Sequence, residues 1–280
     1  GMYIVPNTVG GGSTKLKNAT HSGSNAYILY GGVRYYLGEV AGEKKVFTGQ
    51  VVNFNRVFYN KRNFNGDIGY WDMSSAVVTA EMFKGAKKFN QDIGGWNMRK
   101  NKWYWGMFYN ANKFDQDISG WDTRNARSFS TMFVRASNFN QDISRWNVSN
   151  VTNMSNMFNN AINFNRDIGG WNVSGVRNTK MMFYDARGFN QDISRWNISN
   201  VTNMENMLHN ASKFNYTLNE LINGGWQLNE TIYEQLQNNT TDFIIQSSSM
   251  QLHPDDSVHI IKKKIFKLFI NLNSFYTQNL

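Results

Sequence analysis

The chain has 280 residues, a net charge of +9 and no cysteine, so neither disulfides nor cysteine-based zinc sites or nucleophiles can occur. Apolar residues make up 41% and aromatics 15%, enough to fill a core, while only 18% are charged, so the polar surface has to come from Asn, Ser, Thr and Gln. The positive charge favours an acidic partner such as anionic lipid, acidic glycan or nucleic acid, and equally serves solubility. No stretch reads as a signal peptide or as a membrane span of 18 or more apolar residues.

Residues 1–24 are rich in Gly, Ser, Thr and Asn and read as a loose or extended arm. Residues 25–56 read as an N-terminal β cap. In it Ala26–Tyr30 and Val33–Leu37 flank Gly31-Gly32, a two-residue hairpin signal, because a type I′ turn needs positive φ at both central positions. Val46–Val52 is a candidate third strand. An open solenoid end exposes unpaired strand edges, which a hairpin would cover; a separate binding domain is the other reading.

From there a strict repeat takes over, and residues 57–223 read as about seven 25-residue units. Trp71, Trp96, Trp121, Trp146, Trp171 and Trp196 stand 25 residues apart, each with Ile at minus three, Asp at minus four and Phe at minus seven. Phe214 opens a seventh unit that lacks the Trp. Such a period predicts a solenoid whose units bury their apolar faces only against their neighbours. Within a unit, Ile143-x-x-Trp146-x-Val148 has the spacing of a leucine-rich-repeat strand, which would leave Arg145, Asn147 and Ser149 outward. Met154, Met157, Phe158 and Ala161 then fall at i, i+3, i+4 and i+7, the stripe of a short helix capped by Thr152 or Asn153. The expected fold is therefore an α/β solenoid with a parallel sheet about 30 Å long, backed by short helices. Small residues recur at Ala111, Ala136, Ala161, Ala186 and Ala211, with Lys61 breaking that position in the first unit.

The pattern M-F-x-x-A-x-x-F-N-x-D-I-x-x-W-N-V-S-x-V-x-x-M, from about Phe58 to Phe214, resembles the BspA-like leucine-rich-repeat proteins. It is most similar to the subfamily described as a domain of unknown function in mycoplasma and other bacterial surface proteins, with relatives in large DNA viruses. The resemblance implies a leucine-rich-repeat horseshoe or rod, display on a cell or virion surface, and adhesion or protein binding without catalysis. It carries no binding residues over to this chain.

Residues 224–280 leave the register and read as a C-terminal helical cap. One helix is expected from near Glu230 and another from Pro254-Asp255-Asp256. The last carries Lys262, Lys263, Lys264 and Lys267 beside an apolar stripe. Such a helix can make a peripheral contact with an anionic membrane; as a terminal cap its lysines would simply be solvated.

Two columns and one anomaly offer candidate sites. The Asp column (Asp67 to Asp192) could suggest calcium, but one carboxylate per unit suits a turn that accepts backbone N–H groups better, and no metal or cofactor is expected. Asp72, Asn97, Asp122, Asn147, Asn172 and Asn197 follow the tryptophans and could hold a glycan or peptide, or bond to one another as a ladder. The anomaly is Trp103-Tyr104-Trp105: Tyr104 takes an inward position, whereas Trp103 and Trp105 replace mostly polar residues. They stand near Arg99, Lys100, Lys102 and Arg124, as in contact hot spots or sugar stacking, or else pack on another segment. Arg145 and Arg195 complete the candidate ligand face.

His21, His209, His253 and His259 are scattered, and no Ser-His-Asp or Cys-His arrangement exists, so no enzyme is expected. The reading is a binding or adhesion repeat protein with a protein or glycan ligand and no specific nucleic acid. A spacer or capsid-associated component that uses its ends for contacts is the alternative.

Overall fold

The computed structural model describes residues 2–4, 27–30, 33–37, 45–228, 232 and 235. At the N-terminal end four short strands, β1 (Met2–Ile4), β2 (Tyr27–Tyr30), β3 (Val33–Tyr36) and β4 (Lys45–Phe47), pair in the order β1-β4-β3-β2. β2 and β3 are antiparallel across Gly31-Gly32, with Tyr27 opposite Tyr36 and their rings edge to face at 5.8 Å. β3 and β4 touch in parallel only at Tyr36 and Lys45, and β4 runs parallel to β1.

The repeat array is a coil of turns, which overturns the expected α/β leucine-rich-repeat architecture. Among the described residues the sole continuous α-helix is α1 (Leu218–Gly224), and between β4 and α1 there is no strand. What joins the units in strand-like fashion is one parallel bridge each, Asn53 to Val78 to Trp103 to Ser128 to Asn153 to Asn178 to Asn203.

The segment read as a strand is two turns. The amide of Trp146 donates to the Ile143 carbonyl at 3.0 Å and that of Val151 to Val148 at 2.9 Å. Turn ends i and i+3 lie side by side, so the spacing L-x-x-L is met with both ends inward and two residues projecting between them.

The segment read as a helix is two further turns. Met157 N–H bonds to Met154 O at 3.1 Å and Ala161 N–H to Phe158 O at 2.9 Å. Its third-in-turn residues, Asn156 and Asn160, both have φ of 57°, in the left-handed region that a right-handed helix excludes. That positive φ is the mark of a type II turn. Alternate amides are thereby aimed at the next unit: Met154, Asn156, Phe158 and Asn160 donate to Asn178, Lys180, Met182 and Tyr184 at 2.7–2.9 Å. Each unit thus spends its backbone donors on local turns and on its neighbour, which leaves no i→i−4 ladder.

The interior is continuous. Trp146, Phe158, Phe164, Ile143, Met154, Met157 and Ala161 are buried, and so are nearly all their equivalents. Rings stack on their counterparts one unit away at 5.3–5.7 Å in the Phe58 to Phe183 column. The Phe64 to Phe214 column stacks at 5.8–6.2 Å, and the paired tryptophans at 6.1–6.5 Å. Each inward ring thus packs on its counterpart in the next unit, so the core runs unbroken along the stacking axis.

Each indole also serves as a buried donor. Nε1 of Trp96, Trp121, Trp146, Trp171 and Trp196 reaches the Ile carbonyl of the preceding unit at 3.0–3.1 Å, 28 residues back. Both ends keep this bond. Trp71 donates to Leu37 of the N-terminal region at 3.0 Å, and Trp226 donates to Ile193 at 2.8 Å, 33 residues back. The seventh unit therefore has its tryptophan after all, displaced five residues by α1. That helix begins with a capping box, Thr217 accepting from Glu220 N–H and Glu220 accepting from Thr217 N–H.

α1 precedes the expected C-terminal helical cap. Ile232, buried, and Gln235, whose side chain accepts from Met204 N–H at 2.7 Å, are the described residues beyond 228. Both are helical, as expected for a helix starting near Glu230; the rest of that helix and the lysine-bearing one expected from Pro254 lie outside the described residues, as does the arm expected at 1–24 apart from Met2–Ile4, which form β1 and are not a loose segment.

Candidate recognition face

Around each unit the turn centres project outward while the turn ends build the core, so a candidate site has to be sought among turn centres and the bridge segment. The Asp column belongs to the turns. In all six units Oδ1 of the Asp accepts the N–H two residues on at 2.9 Å, from Gly69, Gly94, Ser119, Ser144, Gly169 and Ser194. Those amide bonds hold the carboxyls of Asp117, Asp142 and Asp192 below the usual carboxylate range. Among the described residues no group of three or more His, Asp or Glu side chains converges on a point.

The column after the tryptophans is local in the same way. Oδ1 of Asp72, Asn97, Asp122, Asn147, Asn172 and Asn197 accepts the N–H of residues 74, 99, 124, 149, 174 and 199. No bond runs from one of these side chains to the next. The asparagine ladder exists elsewhere, in the residue after each Phe of F-N-x-D. Oδ1 of Asn65, Asn90, Asp115, Asn140, Asn165 and Asn190 accepts the amide of the equivalent residue one unit on, at 2.8–3.1 Å. Gln141 and Gln191 reinforce it by donating to Asp115 and Asn165. The motif that defines the repeat is thus largely spent on the stack.

Trp103 and Trp105 stand on the bridge segment with Tyr104 turned inward between them. Trp103 is 41% exposed and Trp105 half-buried. Neither indole is needed to hold the segment, since its backbone makes the bonds: Thr79 N–H to Trp103 O at 3.0 Å and Glu81 N–H to Trp105 O at 2.9 Å. Tyr104 is buried, 5.1 Å from the Phe129 ring, and its hydroxyl reaches Met98 O at 3.4 Å. Burial pushes that phenol well above its ordinary pKa. Beside it Asn101 is buried, donating to Thr79 Oγ1 at 2.8 Å, with its Oδ1 unpaired.

Arg99 and Arg124 occupy the centres of equivalent turns, Met98–Asn101 and Thr123–Ala126, one unit apart and just before the bridge segment. Arg124 Nε is 2.8 Å from Asp122 Oδ1. The two arginines, Trp103, Trp105, Asn97 and Asp122 therefore belong to one region, at units two and three. Asn147, Asn172 and Asn197 continue its edge toward the C-terminal end. Arg145 and Arg195 do not join it, because they sit in the Ile–Trp turn on the preceding arc of the coil.

A second cluster flanks the indoles and was not anticipated from the sequence. Glu81, nearly buried and left-handed with φ of 51°, pairs with Arg56 and, at 2.6 Å, with Lys84. Burial works to raise the Glu81 carboxyl, but the hydrogen bonds from Lys84 and Arg56 outweigh it and hold the group below the carboxylate range. Lys84 Nζ lies 4.8 Å from the Tyr109 ring and 5.7 Å from the Tyr59 ring, and Arg56 lies over Tyr59 at 5.1 Å. The available signal was columnar: Tyr59, Lys84 and Tyr109 share one position in successive units.

The family described as Mycoplasma protein of unknown function, DUF285, matches the chain over residues 43–137 and 116–221. No curated protein and no solved structure matches it. Together the two matched stretches run without a gap over more than half of the 280 residues, and the chain belongs to this family.

Proposed function

We propose that the array is a non-enzymatic recognition scaffold which offers an extended outer face, centred on Trp103 and Trp105, to a protein or glycan partner at a cell or virion surface. The observation that carries this reading is the exposed Trp103 indole, at a position held by Asn, Ser or Val in other units and contributing nothing to the backbone bonds there. Exposed aromatic rings beside cations are the residues that dominate binding energy in interfaces. A chain that needed only to stack would have no use for it. The surroundings fit a face and not an active site, since the Asp column is consumed in turns of equivalent environment, whereas an acid and a base need unlike ones.

The test is a binding screen against surface proteins and glycans, comparing the native chain with a Trp103→Ala, Trp105→Ala double variant that unfolds at a similar temperature. A ligand retained by the native chain and lost by the variant supports recognition. Defined oligomers with no ligand, unaffected by the double variant, would instead favour the spacer or assembly role.

A further inference from the structure

Charge is segregated around the coil. The arcs that run from each Phe of F-N-x-D to the second residue after Trp, 64–73 and its five equivalents through 189–198, contain nine Asp and three Arg. The arcs between them, 74–88 through 199–213, contain fourteen Lys or Arg and three acidic residues. The basic side is also uneven along the axis. Residues 74–88, 99–113 and 124–138 hold ten of the fourteen cations and a single acid, Glu81, which Arg56 and Lys84 already neutralise; 149–163 holds no charge at all. Lys87, Lys88, Lys100, Lys102, Lys113 and Arg127 are exposed there, on both sides of the ring-bearing strip.

Resting on the reading of this array as a recognition surface, we propose that the face built by residues 74–88, 99–113 and 124–138 binds an acidic polysaccharide, lying along the stacking axis. Three columns place cations at equivalent positions one unit apart, Lys88 with Lys113, Arg99 with Arg124 and Lys102 with Arg127, so pairs of cations follow the stacking axis as the anions of a polymer lying along it would. Field from one sign of charge concentrated on one side raises the local concentration of such a ligand. The rings decide between polyanions. Trp103, Trp105 and Tyr109 follow one another around the coil, across the axis, and the neighbours of Trp103 along the axis are Val78 and Ser128. A chain lying along the axis therefore meets one stacking step, which suits the C–H face of a sugar ring. A single-stranded nucleic acid needs successive aromatic platforms for successive bases.

The experiment measures binding of the full chain to heparin, polygalacturonate, neutral dextran and an oligo-dT strand at low and physiological salt. Binding to a sulfated or carboxylated polysaccharide, weakened by salt, is expected. Lys100→Gln with Lys102→Gln should weaken it about tenfold, the scale of losing charge-assisted contacts, and Trp103→Ala should weaken it further. Gly95→Glu with Gly170→Glu changes the net charge equally, but on the acidic arc, where a Cβ meets nothing within 4 Å; it should leave affinity within about twofold of native. Equal loss in both double variants, tighter binding to oligo-dT, or no binding to either acidic polysaccharide overturns the proposal. Binding of dextran or of a protein through Trp103 would then leave the recognition reading standing, whereas indifference of every ligand to Trp103→Ala would remove both. All variants are compared only after matching unfolding temperatures.

Discussion

Residues 99–113 and 149–163 occupy the same stretch of the coil two units apart and could hardly differ more outside. The first reads RKNKWYWGMFYNANK and the second SNVTNMSNMFNNAIN. Their backbones coincide in kind: a parallel bridge at Trp103 and Asn153, positive φ at Gly106 and Asn156 and again at Asn110 and Asn160, and turns closed by Met107 and Met157. The difference teaches that the coil asks for little at its outward positions. Inward turn ends and left-handed turn centres recur in every unit, the latter even where Thr131, Arg135 or Met181 occupies them, while the outer columns range from no charge to four cations with two indoles.

If that division is right, the largest effect should come from the positions the two segments share. Trp146→Ala empties a place buried between Trp121 and the Phe133 ring and removes the Nε1 bond to Ile118 O. It should cost about 3–5 kcal/mol, read as a lowered midpoint in denaturant unfolding. Trp146→Phe keeps most of the ring and should cost about 1 kcal/mol for the unmade bond. Trp103→Ala, on the outside, should move the midpoint by no more than about 0.5 kcal/mol. A Trp103→Ala loss as large as that of Trp146→Ala would end the distinction between inner and outer columns.

The left-handed turn centres come next. Ala at Gly106 forces a Cβ into a φ of 62° and to 3.1 Å from Glu81 Cγ, and Ala at Asn156 removes a residue that tolerates φ of 57°. Each should cost about 1–2 kcal/mol, whereas Asn156→Gly should be close to neutral. A helix in that segment would respond the other way, gaining from Ala and losing from Gly by about 1 kcal/mol.

These same residues explain what was legible in the sequence. The period, the buried columns of Trp, Phe, Ile, Met and Ala, and the Asp-to-amide turns can all be read off the 25-residue register. The element type could not be read from apolar spacing, because i, i+3, i+4, i+7 is satisfied both by a helical stripe and by two consecutive four-residue turns. The discriminating signal lay in the residues between: Asn or Gly at 106 and 110, 156 and 160, and 206 and 210, four apart within a unit, and singly at 60 and 85, which are left-handed formers and poor helix formers, although Arg56, Glu81, Thr131, Arg135, Met181 and Asp185 hold the same conformation without that signal. Of the candidate face, Trp103, Trp105, Arg99 and Arg124 were visible as departures from their columns. The Glu81 cluster was not, since pairing Arg56 with Glu81 requires knowing that position 56 stacks on 81 through the turn.

Inside, the two segments differ at one place. Val151 and Met154 make an apolar contact surface where Asn101 and Tyr104 bury polar atoms, with Asn101 Oδ1 unpaired. Asn101→Val together with Thr79→Val removes the orphan Oδ1 acceptor and, at the same time, both partners of the bond that Asn101 Nδ2 donates to Thr79 Oγ1. Because an unsatisfied buried group is costly and a bonded pair replaced by apolar groups is near neutral, the double variant should be more stable by about 1 kcal/mol. A destabilised double variant would mean that the buried amide is held by a partner, such as a bound water, and that the interior of this unit is tuned for the indoles it carries outside.

The smallest effect is on pH dependence, and it concerns the one acid on the basic face. Glu81 is held below its ordinary pKa by Lys84 and Arg56 against the opposing effect of its burial. A depressed carboxyl binds fewer protons folded than unfolded, so its contribution is full above the unfolded value near 4.3 and is lost as pH falls through the folded one. The native chain should therefore lose stability below about pH 4 with a component that Glu81→Gln lacks. Asp142→Asn, which keeps the Oδ1 acceptor for Ser144 N–H, should by contrast cost little at neutral pH. Unfolding midpoints from pH 3 to pH 7 separate the two. A Glu81→Gln profile parallel to the native one would show that the Arg56 and Lys84 contacts do no more than tether their own side chains.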